Sequence, residues 1–215
     1  MKKDSTELVF ILDKSGSMSG LEKDTIGGFN SMLGKQKALE GDCRITTVLF
    51  DNNYELLHDR IDIAAINEIG EKEYQIGGST ALLDAIGKTV NKISSAQKNT
   101  AEGYRATKVM FVIITDGEEN ASKEYAADKV KALIERQKSE YGWEFIFLGA
   151  NIDAVTTAQR YGINADRALD YIADGDGTAL NFSVMSEAIS AVRYGAPMPA
   201  ASFDKIRADV KKRKK

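Results

Sequence analysis

The 215-residue chain predicts a doubly wound α/β fold, a three-layer sandwich with helices on both faces of a six-stranded, mostly parallel sheet that carries one antiparallel edge strand. Three observations predict it. Apolar strand-like runs alternate with amphipathic helical stripes, the order that builds right-handed crossovers between parallel strands. The first, fourth and fifth of those runs are hydrophobic almost without interruption, as strands covered on both faces must be. One further pair of runs is joined by two asparagines, residues that tolerate the positive φ of a hairpin turn.

In chain order, residues 7–13 (ELVFILD) give the first strand, and Ile26, Phe29 and Leu33 give a helical stripe that Gly27-Gly28 weakens. Residues 43–51 and 54–58, joined at Asn52-Asn53, form the hairpin. Leu82, Ile86, Val90 and Ile93 step by four, four and three along the next helix. Residues 108–116 (KVMFVIITD), 143–149 (WEFIFLG) and 168–172 (ALDYI) are the remaining strands. Ala126, Val130 and Leu133 mark the helix after the first of these, and Met185, Ile189 and Val192 the last core helix. Pro197 and Pro199 end that helix, so residues 1–196 read as the domain and 197–215 as a basic C-terminal tail. Residues 204–215 hold seven Lys or Arg against two Asp, which leaves the remainder clearly acidic.

Composition narrows the function classes. With 43% hydrophobic and 28% charged residues and only 2 Pro, the chain is neither disordered nor collagen-like. A net charge of −3 argues against a nucleic-acid-binding domain. A single cysteine permits no internal disulfide. No run approaches the ~18 apolar residues of a membrane helix, and no leader-like run opens the chain, so a cytoplasmic location is expected.

In an open α/β sheet, ligands sit beyond the carboxyl ends of the strands. Three segments fall there: residues 13–19 (DKSGSMS), 77–80 (GGST) and 116–118 (DGE). Asp13, Ser15, Ser17, Thr80 and Asp116 make an all-oxygen set, which suits Mg²⁺ or Mn²⁺. Zinc, which prefers His and Cys, is poorly served by one of each. Alternate residues of an extended loop turn toward one point, and Gly16, Gly77 and Gly78 let the backbone pass close to it.

Asp-x-Ser-x-Ser after a first strand, Gly-Gly-x-Thr before a helix and Thr-Asp-Gly-Glu after a central strand resemble the motifs of the von Willebrand factor type A (VWA) domain. The resemblance spans residues 5–195 in element order and is nearest to small bacterial or phage intracellular members. It implies a metal-ion-dependent adhesion site. In that site Ser15 and Ser17 bind the ion through their hydroxyls, and Thr80 binds directly or through water. Asp13 and Asp116 hold coordinating waters or switch to direct contact. One position stays open for an acidic side chain of a partner protein. Bacterial members often work beside AAA+ ATPases, so such a partner is an expectation here.

Other features have plainer readings. Residues 174–178 (DGDGT) look like a calcium loop but lack the Gly and Glu that loop requires at its sixth and twelfth positions, where Ala179 and Met185 stand. They read as a turn, with Thr178 or Asn181 capping the next helix. Asp84 complements a helix dipole. Asp51 and Asp153 are loop residues near the site, and Glu118 and Glu119 a solvated rim. Trp143 is core, while Cys43 and His58 are structural. The lysine-rich end reads as a solvated, frayed terminus. The leading function is therefore a metal-dependent protein-binding module without catalytic activity. Two alternatives stand beside it. One is an Mg²⁺-dependent phosphoester hydrolase, although Ser15 occupies the position where that chemistry needs an acid. The other is nucleic-acid contact through the basic end.

Overall fold

The computed structural model describes residues 5–213. Its strands are β1 (Ser5–Asp13), β2 (Asp42–Phe50), β3 (Tyr54–Asp62), β4 (Lys108–Thr115), β5 (Glu144–Gly149) and β6 (Ala168–Asp170). They form one sheet in the order β3-β2-β1-β4-β5-β6. All neighbours run parallel except β2 and β3, whose hairpin forms the antiparallel edge. The helices are α1 (Glu22–Lys37), α2 (Leu82–Asn99), α3 (Ala127–Tyr141), α4 (Ala154–Arg160), α5 (Gly175–Arg193) and α6 (Asp204–Arg213).

Period-two alternation in β1 builds two cores at once. Leu8, Phe10 and Leu12 pack with Phe29 and Leu33 of α1 and with Phe182 and Ile189 of α5. Val9 and Ile11 pack on the opposite face with Ile86 and Val90 of α2 and with Val130 of α3. Both faces of the strand are thus covered, which is why its sequence shows no polar residue between Glu7 and Asp13. The glycines that weaken α1 also have a packing role. A Cβ on Gly28 would run into the Phe182 ring, so glycine here permits the close approach of α1 and α5.

Several boundaries differ from the sequence reading. β3 extends beyond residue 58 to Asp62 through an irregular register opposite Thr47, with Arg60 at φ 51°. β6 stops at Asp170, short of Ile172. Ala126 is the residue before α3, and Trp143 precedes β5 while stacking on Phe111 at 5.6 Å. Helix α4, only seven residues long, is too short to show a stripe.

The segment read as a basic C-terminal tail is helical from Ala200 to Arg213, and the first three residues of the run read as frayed, Lys211 to Arg213, belong to α6. Phe203 and Ile206 are 0% and 1% exposed and join the core beside α5. Lys205 pairs with Glu187, and Arg213 reaches both Asp209 and Asp174. Lys214 and Lys215, which complete the basic run, lie outside the described residues.

Candidate metal centre

The sheet grows from β1 in both directions, toward β2 and β3 on one side and β4 to β6 on the other. The carboxyl ends of β1 and β4 therefore flank the point where the strand order reverses, the place where such sheets open a crevice. Asp13 ends β1 and Asp116 follows β4, so topology alone brings the two carboxylates to one place.

The chain after Asp13 is held by backbone pairing. Lys14 N–H donates to the Phe50 carbonyl at 2.8 Å, Gly77 N–H to the Lys14 carbonyl at 2.9 Å, and Gly16 N–H to the Gly78 carbonyl at 3.1 Å. Of the three glycines singled out there, only Gly78 takes a positive φ, at 73°. This pairing brings Thr80 to the serines. The Thr80 hydroxyl lies 3.0 Å from Ser15 Oγ, and Ser15 Oγ lies 3.1 Å from Ser17 Oγ. Ser15 and Thr80 are buried, while Ser17 is exposed at the mouth. The hydroxyls open on a shallow depression of about 210 Å³ that Gly117 and Asn120 also line.

All five sequence-predicted residues thus gather at one sheet edge. A Cβ on Gly117 would sit 3.2 Å from Ser17 Oγ and 3.6 Å from Thr80 Oγ1, so a side chain at 117 would crowd the Ser17 hydroxyl. Among the described residues no three His, Cys, Asp or Glu side chains converge. The donor set here is two carboxylates with three hydroxyls, which fits a hard divalent cation.

The carboxylates are fixed from behind by residues the sequence reading did not name. Asp13 accepts from Ser15 N–H at 2.7 Å and from the Thr115 hydroxyl at 2.6 Å. Its main-chain carbonyl accepts from the phenol of Tyr74, a buried residue of the 66–81 connection. Asp116 accepts from the side-chain amide of Asn151, which adopts φ 55° just after β5. Burial and the nearby Asp13 charge, partly offset by the Asn151 bond, push Asp116 up to about 6. Asn151 was open to discovery by the strand-end rule applied to β5. Tyr74, sixty-one residues from Asp13, carries no local signal.

Other residues of this edge prove to be scaffolding. Asp84 accepts from the backbone amides of Lys123, Glu124 and Tyr125, each at 2.9 Å, and so anchors the loop after Asp116 instead of merely facing a dipole. Glu119 is not a solvated rim. It accepts from the amides of Leu83, Ala121 and Ser122, and so ties that loop to the start of α2. Glu118 is exposed. Asp51 closes the hairpin by accepting from Asn53 N–H, and Asp153 caps α4. In the 174–178 turn, the cap of α5 is Asp174, which accepts from Gly177 N–H; Thr178 and Asn181 are buried inside the helix.

The family model for the von Willebrand factor type A domain matches residues 7–191. The chain belongs to that family. Solved structures share its fold at low identity. A von Willebrand factor type A protein from Catenulispora acidiphila is 16% identical with a TM-score of 0.58, over 86% of this chain and 42% of that one. The vWF domain of a type V pili tip protein from Porphyromonas gingivalis is 12% identical with a TM-score of 0.61, over 87% and 96%. Proximal thread matrix protein 1 from the mussel byssus, with a zinc-occupied MIDAS motif, is 12% identical with a TM-score of 0.61, over 87% and 48%. This VWA domain spans less than two thirds of the length of several such relatives. No curated protein matches it. Among the described residues no helix is long and apolar enough to cross a membrane.

Proposed function

We propose that this VWA domain is a metal-dependent protein-binding module and not an enzyme. Asp13, Ser15, Ser17, Thr80 and Asp116 would hold Mg²⁺ or Mn²⁺, and the bound ion supplies a Lewis-acidic contact for an Asp or Glu of a partner protein. The observation that carries the reading is the convergence of the Ser15, Ser17 and Thr80 hydroxyls beside two buried carboxylates. Neutral hydroxyls leave most of a cation's charge available to an incoming acid, whereas direct binding of both carboxylates would largely cancel it. Catalysis lacks a candidate group. Ser15 stands where a phosphatase acid belongs, and the sole histidine, His58, lies on edge strand β3. An AAA+ ATPase as partner and a cytoplasmic setting belong to the same proposal.

The test is a thermal-shift and calorimetric titration with Mg²⁺ and Mn²⁺ on the wild type and on Asp13→Ala, since a ligand of the native state raises the melting temperature. Stabilisation in the wild type alone, with partner capture that EDTA abolishes, is the expected result. Metal-dependent turnover of a generic phosphate ester that disappears in Asp13→Asn would overturn the proposal in favour of the hydrolase.

A further inference from the structure

At the opposite end of the sheet from the metal centre, the carboxyl-terminal halves of α2 and α3 enclose a cavity of about 560 Å³ against the starts of β4 and β5. It takes no part in the function above. Its wall includes Trp143, which is 6% exposed and stacks on Phe111, whose ring is in turn stacked on Phe145 at 4.7 Å. The indole is thereby held rigid, and its N–H has no partner among the described residues. Tyr141, 58% exposed, stands at the rim across Gly142. Lys98, Arg105 and Arg136 line the same cavity against one carboxylate, Glu102.

Two of those cations are tied in place and one is free. Arg105 donates to the carbonyls of Thr100 and Lys98, which satisfies acceptors at the end of α2 that would otherwise repel an anion. Arg136 pairs with Glu140. The Lys98 ammonium has no partner among the described residues. At the floor, Gln137 is 3% exposed. Its only side-chain bond is a long one, 3.3 Å to Ser94 Oγ, and its Oε1 is left with none. A buried amide oxygen without a partner is a group that a donor entering beside Ser94 would satisfy.

From these observations we propose that the cavity binds an aromatic anion of mononucleotide size. The ring would lie on the exposed Tyr141 and reach the edge of Trp143, the one part of the indole not buried in the core, a base donor would meet the Gln137 amide, and the phosphate would meet Lys98 and the remaining donors of Arg105. A free inorganic anion would leave most of the volume and the aromatic wall unused, whereas a mononucleotide matches the size range of small-molecule pockets. Rigid aromatic faces and cations are the groups that nucleotides recruit.

Trp143 is the sole tryptophan, so its emission, excited at the red edge, reports on this cavity alone. Titration of the full chain with AMP, GMP, CMP and UMP is expected to give saturable quenching below the millimolar range. Adenosine should bind at least fivefold more weakly than AMP, and inorganic phosphate should leave the emission unchanged. Lys98→Glu should weaken AMP binding about tenfold with an unchanged melting curve, and Gln137→Leu should weaken the four bases unequally. Asp13→Ala, which removes the metal centre, should bind AMP as the wild type does. Failure of all four nucleotides to quench the folded wild type would overturn the proposal. Equal affinity for adenosine and AMP, or unchanged binding in Lys98→Glu, would overturn the anion-binding part.

Discussion

Thr115 shows how a residue without metal-binding chemistry would govern the proposed metal site. Its hydroxyl, fully buried, holds one oxygen of Asp13 at 2.6 Å. Thr115→Val keeps the β-branched shape that β4 needs and removes only that donor. A buried acceptor stripped of its partner costs about 1–3 kcal/mol. The variant is therefore expected to unfold at lower denaturant and to show a smaller metal-induced rise in melting temperature. Asp116 makes the complementary case. Its carboxyl is raised to about 6 by burial and by Asp13, above the 3.8 of an ordinary aspartate. A raised acid means that the folded state holds a proton the unfolded state has lost between roughly pH 4 and pH 6. This group's contribution is thus intact below about pH 4 and declines as the pH rises through 6. In EDTA at pH 7, Asp116→Asn is expected to melt above the wild type, to flatten the slope between pH 4 and pH 6, and to lose the response to Mg²⁺. A substitution that stabilises the metal-free fold and abolishes binding would show that the carboxylate is kept for the ion and not for the fold. The gathering of all five proposed ligands at one sheet edge was legible in the sequence because each lies in a recognisable motif just after a strand or just before a helix. Thr115, Tyr74 and Asn151 were not read, because their role is to orient a neighbour and that depends on contacts spanning up to 102 positions.

At the scale of elements, the loop between Asp116 and α3 has no regular structure of its own and depends on two acids. Asp84 satisfies three consecutive amides of the loop, and Glu119 joins it to the first turn of α2. Those three backbone hydrogen bonds hold the Asp84 carboxyl below its usual range, more than offsetting the effect of burial. A lowered acid contributes stability that is present above its unfolded value and is lost as the pH falls. Asp84→Ala is expected to cost about 1–3 kcal/mol and to speed hydrogen exchange at Lys123, Glu124 and Tyr125. The core helices should keep their relative protection. Slower metal binding should accompany it, because the loop carries Gly117 and Asn120 of the depression. Elements were legible wherever a stripe or run was long. The hydrophobic runs of β1, β4 and β5 and the regular spacing of α2 follow directly from two-sided or one-sided burial. The ends of β3 and β6 and the existence of α4 were not legible. A register irregularity, a three-residue strand and a seven-residue helix are too short for periodicity to identify.

For the whole molecule, the informative element is α6, because composition and structure point opposite ways. Charge density alone suggests a solvated end, and charge is the signal that dominates residues 204–215. Two apolar residues three apart decide the matter instead. Phe203 and Ile206 enter the core beside α5 and β6, and the basic residues then arrange themselves around acids of the folded domain. Burying a phenylalanine outweighs exposed ion pairs, which contribute about 0–1 kcal/mol each. Phe203→Ala is accordingly expected to destabilise the domain by about 3–5 kcal/mol in urea unfolding. Lys205→Ala, which removes the pair with Glu187, should change stability by less than about 1 kcal/mol. The reverse ranking would mean that the helix is held by charge, and raising the salt concentration would then release it. If burial holds it, salt leaves the order unchanged. Phe203→Ala should also retain the wild-type rise in melting temperature with Mg²⁺, because α6 packs chiefly on α5 and β6. A lost metal response would instead make α6 part of the site's support.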